Sequence, residues 1–233
     1  HGNEDININV QYGGIGYVES YDALGHVTIS PSGLDPVQST EKLPYTKINT
    51  PDCYTGMEDF GTITVDGTRT INPGRYNGIA LGGSDHLIMN PGLYCFFGSF
   101  TTQGGQTVEV NPASPALEGV TIYMASGDVS FAGNSLIILR APSIYMDPAI
   151  KGMLIYLPDT NFGTVTLSGT SGSSFQGTVY APYGKIVVTG TSYLTLTTEL
   201  VAGKVSISGN AQIDISDDAF VNFTRAPMIE LFK

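Results

Sequence analysis

Val129-Ser130-Phe131-Ala132-Gly133, Val165-Thr166-Leu167-Ser168-Gly169, Ile186-Val187-Val188-Thr189-Gly190 and Val205-Ser206-Ile207-Ser208-Gly209 are four copies of one phrase: apolar, Ser/Thr or Val, apolar, any residue, Gly. Their glycines stand 36, 21 and 19 residues apart (169−133, 190−169, 209−190). Taking the first gap as two turns of about 18 gives a period of roughly 20, within the range of solenoid repeats. A further copy, Ile63-Thr64-Val65-Asp66-Gly67, lies about three such periods before Gly133. Alternate side chains of a strand point to opposite faces, so Val205 and Ile207 face inward while Ser206 and Ser208 face out. The glycine ends the strand because a sharp corner needs positive φ at low steric cost. One such coil cannot bury its apolar side alone, whereas stacked coils share a continuous core. The expected fold is all-β, a right-handed parallel β-helix (β-solenoid) forming a single domain over 1–233.

The composition agrees. Only 13% of the 233 residues are charged and 29 are Gly, but 41% are apolar, which argues against disorder. The net charge of −11 disfavours nucleic acid and anionic membranes, since both need clustered Lys and Arg. There is no apolar run of 18 residues to span a bilayer. The chain opens on His1 rather than Met, which fits a fragment or a protein matured by removal of a leader. Two cysteines, Cys53 and Cys95, are expected to pair in an oxidising compartment, against the rival reading of two buried thiols. No Cys-x-x-Cys pair and no His cluster points to zinc.

Along the chain, Ile6-Asn7-Ile8-Asn9-Val10 alternates as a strand, read as part of the first coil, and Val27-Thr28-Ile29-Ser30 repeats the alternation. Residues 34–60 hold Pro36, Pro44 and Pro51 and break the pattern, so they are an excursion on the side of the solenoid. The Cys53–Cys95 pairing would tie that excursion down. Asn72-Pro73-Gly74-Arg75-Tyr76 and Asn90-Pro91-Gly92-Leu93-Tyr94 carry a type II turn signal 18 residues apart, and stacking that corner brings Tyr76 near Tyr94. Leu136-Ile137-Ile138-Leu139 is apolar on both faces, so its outer side is expected to be covered. Residues 216–233 leave the repeat and read as a terminal cap over an open edge.

The order of several phrases resembles the β-helical C-terminal region of bacterial proteins related to tight-adherence (Tad) pilus assembly. Those phrases are Gly16-Tyr17-Val18-Glu19-Ser20-Tyr21-Asp22, Asn90-Pro91-Gly92-Leu93-Tyr94, Gly119-Val120-Thr121-Ile122-Tyr123 and Gly177-Thr178-Val179-Tyr180-Ala181-Pro182. The resemblance covers roughly residues 16–210. It implies export, an extracellular or cell-surface setting and a structural or adhesive role, with no catalytic residues to carry over.

Parallel β-helices also include enzymes that cleave polysaccharides, which work with convergent carboxylates, Ca²⁺ and a basic residue. Asp214, Asp217 and Asp218 are the candidate Ca²⁺ set, and Arg140, Asp147 and Lys151 a second polar group. Their plainer readings are a polar turn near the cap and a solvated loop, since neither set recurs on successive coils. Three scattered histidines, His1, His26 and His86, form no nucleophilic triad. Outward tyrosines, with Tyr145, Tyr183 and Tyr193 foremost, are candidates for binding sugar rings or another protein, against ordinary packing between coils. Outward threonines (Thr164, Thr166, Thr195, Thr197) raise an ice-binding array, which Val187 interrupts. The expected function is a structural or adhesive surface protein rather than an enzyme, within a surface filament or a homo-oligomer. The alternative is a carbohydrate-active β-helix, lectin or polysaccharide-degrading enzyme, with polysaccharide as partner. No cofactor is expected beyond Ca²⁺.

Overall fold

The computed structural model of the chain describes residues 48–190, 194–209, 220, 222 and 223, and the backbone of strands Ile6–Asn9, Gly16–Tyr17, Val27–Ser30, Val37–Gln38 and Ile213–Ser216. The described residues contain strands and no helix, and every pairing between those strands is parallel. One coil runs through Gly92–Phe96, Phe100–Thr101 and Thr107–Val110, and the next through Val120–Met124, Val129–Ser130 and Leu136–Arg140. Each strand pairs with its counterpart one coil on: Tyr94 with Ile122, Phe100 with Val129, Val108 with Ile137. Like segments stack on like segments, so the molecule is a parallel β-helix and not two facing antiparallel sheets. Three faces result, and we number them in the order the chain meets them within a coil.

The repeated phrase is the second face. Ile63, Ile79, Phe100, Val129, Val165, Ile186 and Val205 stand in one register column, each paired with the next. Ile63 lies three rungs before Val129, as its spacing implied. The 36-residue gap between Gly133 and Gly169 is different from expectation. Val129 pairs directly with Val165, so the gap is one coil, lengthened by loops at 141–152 and 157–163. A loop inserted at a corner leaves the ladder beside it intact, so residue spacing overcounts turns wherever a corner is long.

Inside, an aromatic series runs along the axis. Ring centroids of Phe60 and Tyr76 are 5.0 Å apart, Tyr76 and Phe96 5.6 Å, Phe96 and Phe100 5.1 Å, and Phe100 and Phe131 5.3 Å. Tyr76 and Tyr94 stack at 5.9 Å, the contact the repeated Asn-Pro-Gly corner predicts. That corner also builds an amide ladder: Asn111 Nδ2 donates to Asn90 Oδ1 and Asn90 Nδ2 to Asn72 Oδ1, each at 2.7 Å. At another corner close stacking demands glycine. A Cβ on Gly184 would lie 2.5 Å from the Gly163 carbonyl oxygen, and one on Gly163 2.5 Å from that of Gly127.

The N-terminal strands take an unexpected place. Ile6–Asn9 pairs with Ile213–Ser216 on one side and with Val27–Ser30 on the other, so these strands extend the third face beyond its C-terminal rung. They do not belong to the first coil; its third-face strand is Thr68–Ile71, at the opposite end of the same sheet. The alternation of Ile6-Asn7-Ile8-Asn9 matches Ile213-Asp214-Ile215-Ser216 residue for residue, and an unpaired strand edge accepts any strand whose apolar period fits. Gly16–Tyr17 pairs with Val37–Gln38 in a separate two-stranded ladder.

Among the described residues of the stretch expected to cap the coils, Asn222 and Phe223 lie along their side. The Phe223 N–H donates to Thr178 Oγ1 at 2.8 Å, and the Asn222 backbone closes on Gly152. Leu136 and Ile138 are half-buried, so the outer side of their strand is covered only in part.

Candidate functional site

The outer side of the first face is where the coil departs from a simple alternation of buried and exposed residues. Gly92–Phe96, Val120–Met124 and Met153–Tyr156 are buried on both sides. A second apolar cluster covers them: Cys53, Leu93, Cys95, Tyr123, Met153, Tyr156 and Tyr180, flanked by Ile48, Met57, Phe97 and Phe223. Part of the cover is a strap of residues 48–57, the described portion of the proline-containing excursion.

Three kinds of contact fix the strap. The disulfide Cys53–Cys95 joins it to the first face, as the sequence led us to expect, with Cα atoms 5.9 Å apart. The Tyr156 hydroxyl donates to the Ile48 carbonyl oxygen at 2.8 Å. Arg75, ion-paired to Asp59, places its guanidinium 5.0 Å from the Tyr54 ring centroid and 5.9 Å from that of Phe97. Within the strap, Asp52 Oδ1 accepts the N–H groups of Tyr54 at 2.8 Å and Thr55 at 3.1 Å, an Asx turn that sets the direction of Tyr54. The Thr55 hydroxyl and these two N–H groups hold the Asp52 carboxyl below the usual carboxylate range, so it is ionised at neutral pH.

Between the strap and the first face lies an open cavity of about 410 Å³, lined by Thr50, Asp52, Cys53, Tyr54, Phe97, Tyr123 and Ala125. Tyr123 belongs to an outward ladder in which its ring meets Tyr156 at 5.3 Å and Tyr156 meets Tyr180 at 5.6 Å, both edge to face. Burial raises the Tyr123 pKa, and the charges of Asp159 and Tyr54 raise it further, so its hydroxyl keeps its proton. The arrangement offers an exposed aromatic face, a phenol and a carboxylate, which is binding chemistry.

The sites proposed from sequence are dispersed. Tyr145 is 90% exposed in the loop at 141–152, with Lys151 Nζ 5.4 Å from its ring centroid. Tyr183 is 55% exposed at a corner, paired edge to face with Phe162 at 6.2 Å. Tyr193 lies outside the described residues. So do Asp217, Asp218 and the side chain of Asp214, whose backbone belongs to the third face. Among the described residues no three His, Cys, Asp or Glu side chains converge as a metal site. Arg140 is engaged by the carbonyl oxygens of Ser114, Pro115 and Glu118 and pins that turn. Lys151 sits on Tyr145, and Asp147 forms no ion pair with Arg140 or Lys151. Sequence reasoning missed the pairing of Tyr54 with Phe97, 5.8 Å apart. The cysteines carried the signal, for Tyr54 follows Cys53 and Phe97 is two residues past Cys95.

Fold and site together define a parallel β-helix with a disulfide-tethered strap over one face. Comparison with family models, curated proteins and solved structures finds no match for the chain. Among the described residues no helix is long and apolar enough to cross a membrane.

Proposed function

We propose that the chain is an exported structural or adhesive protein of the cell surface, related to Tad pilus assembly, with no catalytic role. The observation that carries this reading is the Cys53–Cys95 bond, since buried structural disulfides persist in oxidising compartments. The stacked coils supply a rigid rod, and the net charge of −11 keeps such a rod soluble outside the cell. Antibody labelling of intact against lysed source cells, with thiol trapping of the native protein, tests it. Labelling of intact cells and fully oxidised cysteines are expected; free thiols with labelling only after lysis would overturn it.

A second reading, a carbohydrate-binding module, is favoured by the cavity beneath the strap, where Tyr54 and Tyr123 share one wall system with Asp52. Saturable binding of an oligosaccharide without turnover is its signature; turnover would make the chain an enzyme instead.

A further inference from the structure

We propose that the cavity between the strap and the first face binds a single sugar ring of a neutral glycan. This deepens the carbohydrate-binding reading and rests on it. Three observations carry it.

The first is an unspent hydroxyl. Tyr123 is only 8% exposed and lines the cavity, yet its hydroxyl has no hydrogen-bond partner among the described residues. The next tyrosine of the same ladder, Tyr156, spends its hydroxyl on Ile48. A phenol on a cavity-lining residue that no protein group engages leaves a donor and an acceptor available to a ligand hydroxyl.

The second is a rigid exposed ring. Tyr54 is 67% exposed, but three kinds of contact hold it in place. The disulfide precedes it, its N–H is held by Asp52, and Arg75 and the Phe97 ring bracket its side chain. A preorganised aromatic loses little freedom on binding and offers the apolar C–H face of a sugar a flat partner.

The third is charge. Asp52 lies at the cavity and Asp159 acts on Tyr123, while Arg75, which stands against Tyr54, is already paired with Asp59. This field repels anionic ligands and admits neutral ones, and the Asp52 carboxylate retains acceptor capacity for a sugar hydroxyl. The volume of about 410 Å³ suits a small ligand or the end of a chain, not a long groove-bound polymer.

Isothermal titration of the oxidised chain against neutral manno-, gluco- and galacto-oligosaccharides, with oligogalacturonate as the acidic probe, tests the proposal. Saturable binding of at least one neutral series is expected, and none of the acidic one. Tyr54→Ala should weaken binding at least tenfold. Tyr123→Phe, which keeps the ring and its packing, should weaken it about three- to tenfold through loss of one hydrogen bond. Tyr145→Ala, away from the cavity, should leave affinity unchanged. No saturable binding of any neutral series at millimolar concentration, preference for oligogalacturonate, or full affinity in either cavity variant overturns it. Failure here is separate from failure of the surface reading, which cell labelling decides.

Discussion

Arg69 occupies the register position opposite Leu87, in a column whose next members, Leu87, Val108 and Ile137, are fully buried. The terminal strand of the third face therefore carries a cation where the interior calls for an apolar side chain. Arg69 turns back across the corner and donates from Nη1 to the Thr64 carbonyl oxygen at 2.7 Å. An inward-directed charge on an edge strand is a device against strand addition. At the other end of the second face, Val205 stands opposite fully buried Ile186 and is 43% exposed. The two ends are thus unlike: an exposed cation stands in the interior column at one and an exposed valine at the other.

Replacing the cation should open that end. Arg69→Ile restores the apolar column and leaves the edge of Thr68–Ile71 free to accept a rung from a second copy. Light scattering across a concentration series should show a rise in mean mass relative to the unmodified chain. Identical masses at every concentration would mean that Arg69 does not guard the edge.

The disulfide should dominate the stability of the strap. Cys53 and Cys95 are separated by 42 residues, for which loop-closure entropy gives a stabilisation of about 4 kcal/mol. The Cys53→Ser/Cys95→Ser double variant should accordingly unfold at a markedly lower urea concentration than the oxidised chain, and match the reduced one. An unchanged midpoint would show that the aromatic and Arg75 contacts suffice to hold residues 48–57.

The ladder at the Asn-Pro corner gives a third test. Asn90 is its central member, donating to Asn72 and accepting from Asn111. Asn90→Ala removes both bonds, at about 1 kcal/mol each, and should lower unfolding free energy by about 2 kcal/mol. Asn72→Ala removes one of the two and should cost about half as much. Equal losses in urea unfolding would argue against a ladder acting in series.

These cases show what a linear chain discloses. Val129, Val165, Ile186 and Val205 recur because each fills the same place in the interior, so their phrase names the column directly. Asn72 and Asn90 recur for the same reason at a corner. The alternation of Ile6-Asn7-Ile8-Asn9 shows a strand with one apolar side, but it carries no sign of which edge that strand will meet. The cavity was harder still. Val120-Thr121-Ile122-Tyr123-Met124 alternates, which sets Tyr123 on the outer side, but only the covering strap makes its position a site. Tyr145 and Tyr183 are exposed, but each has its neighbour in Lys151 or Phe162 and not in the cavity.

Alkaline pH should unfold the protein through its interior phenols. Tyr76 and Tyr94 point their hydroxyls at backbone carbonyls, 2.6 Å from Asn72 O and 2.7 Å from Asn90 O. Burial raises the pKa of both far above the ordinary tyrosine value, and burial with the neighbouring tyrosines and Asp159 does the same for Tyr156. Below about pH 10 these phenols are protonated whether the chain is folded or not, so they add no pH dependence. Above it the unfolded chain releases protons that the native state retains, and stability falls as pH rises. Each tyrosine held neutral contributes a slope of about 1.4 kcal/mol per pH unit, so the three together give about 4. Unfolding followed by circular dichroism should coincide with phenolate absorbance from the buried tyrosines. Tyr94→Phe should make the pH dependence of stability shallower by about 1.4 kcal/mol per pH unit. Smooth ionisation of all 13 tyrosines near pH 10 with native dichroism retained would show that the interior phenols are not held neutral.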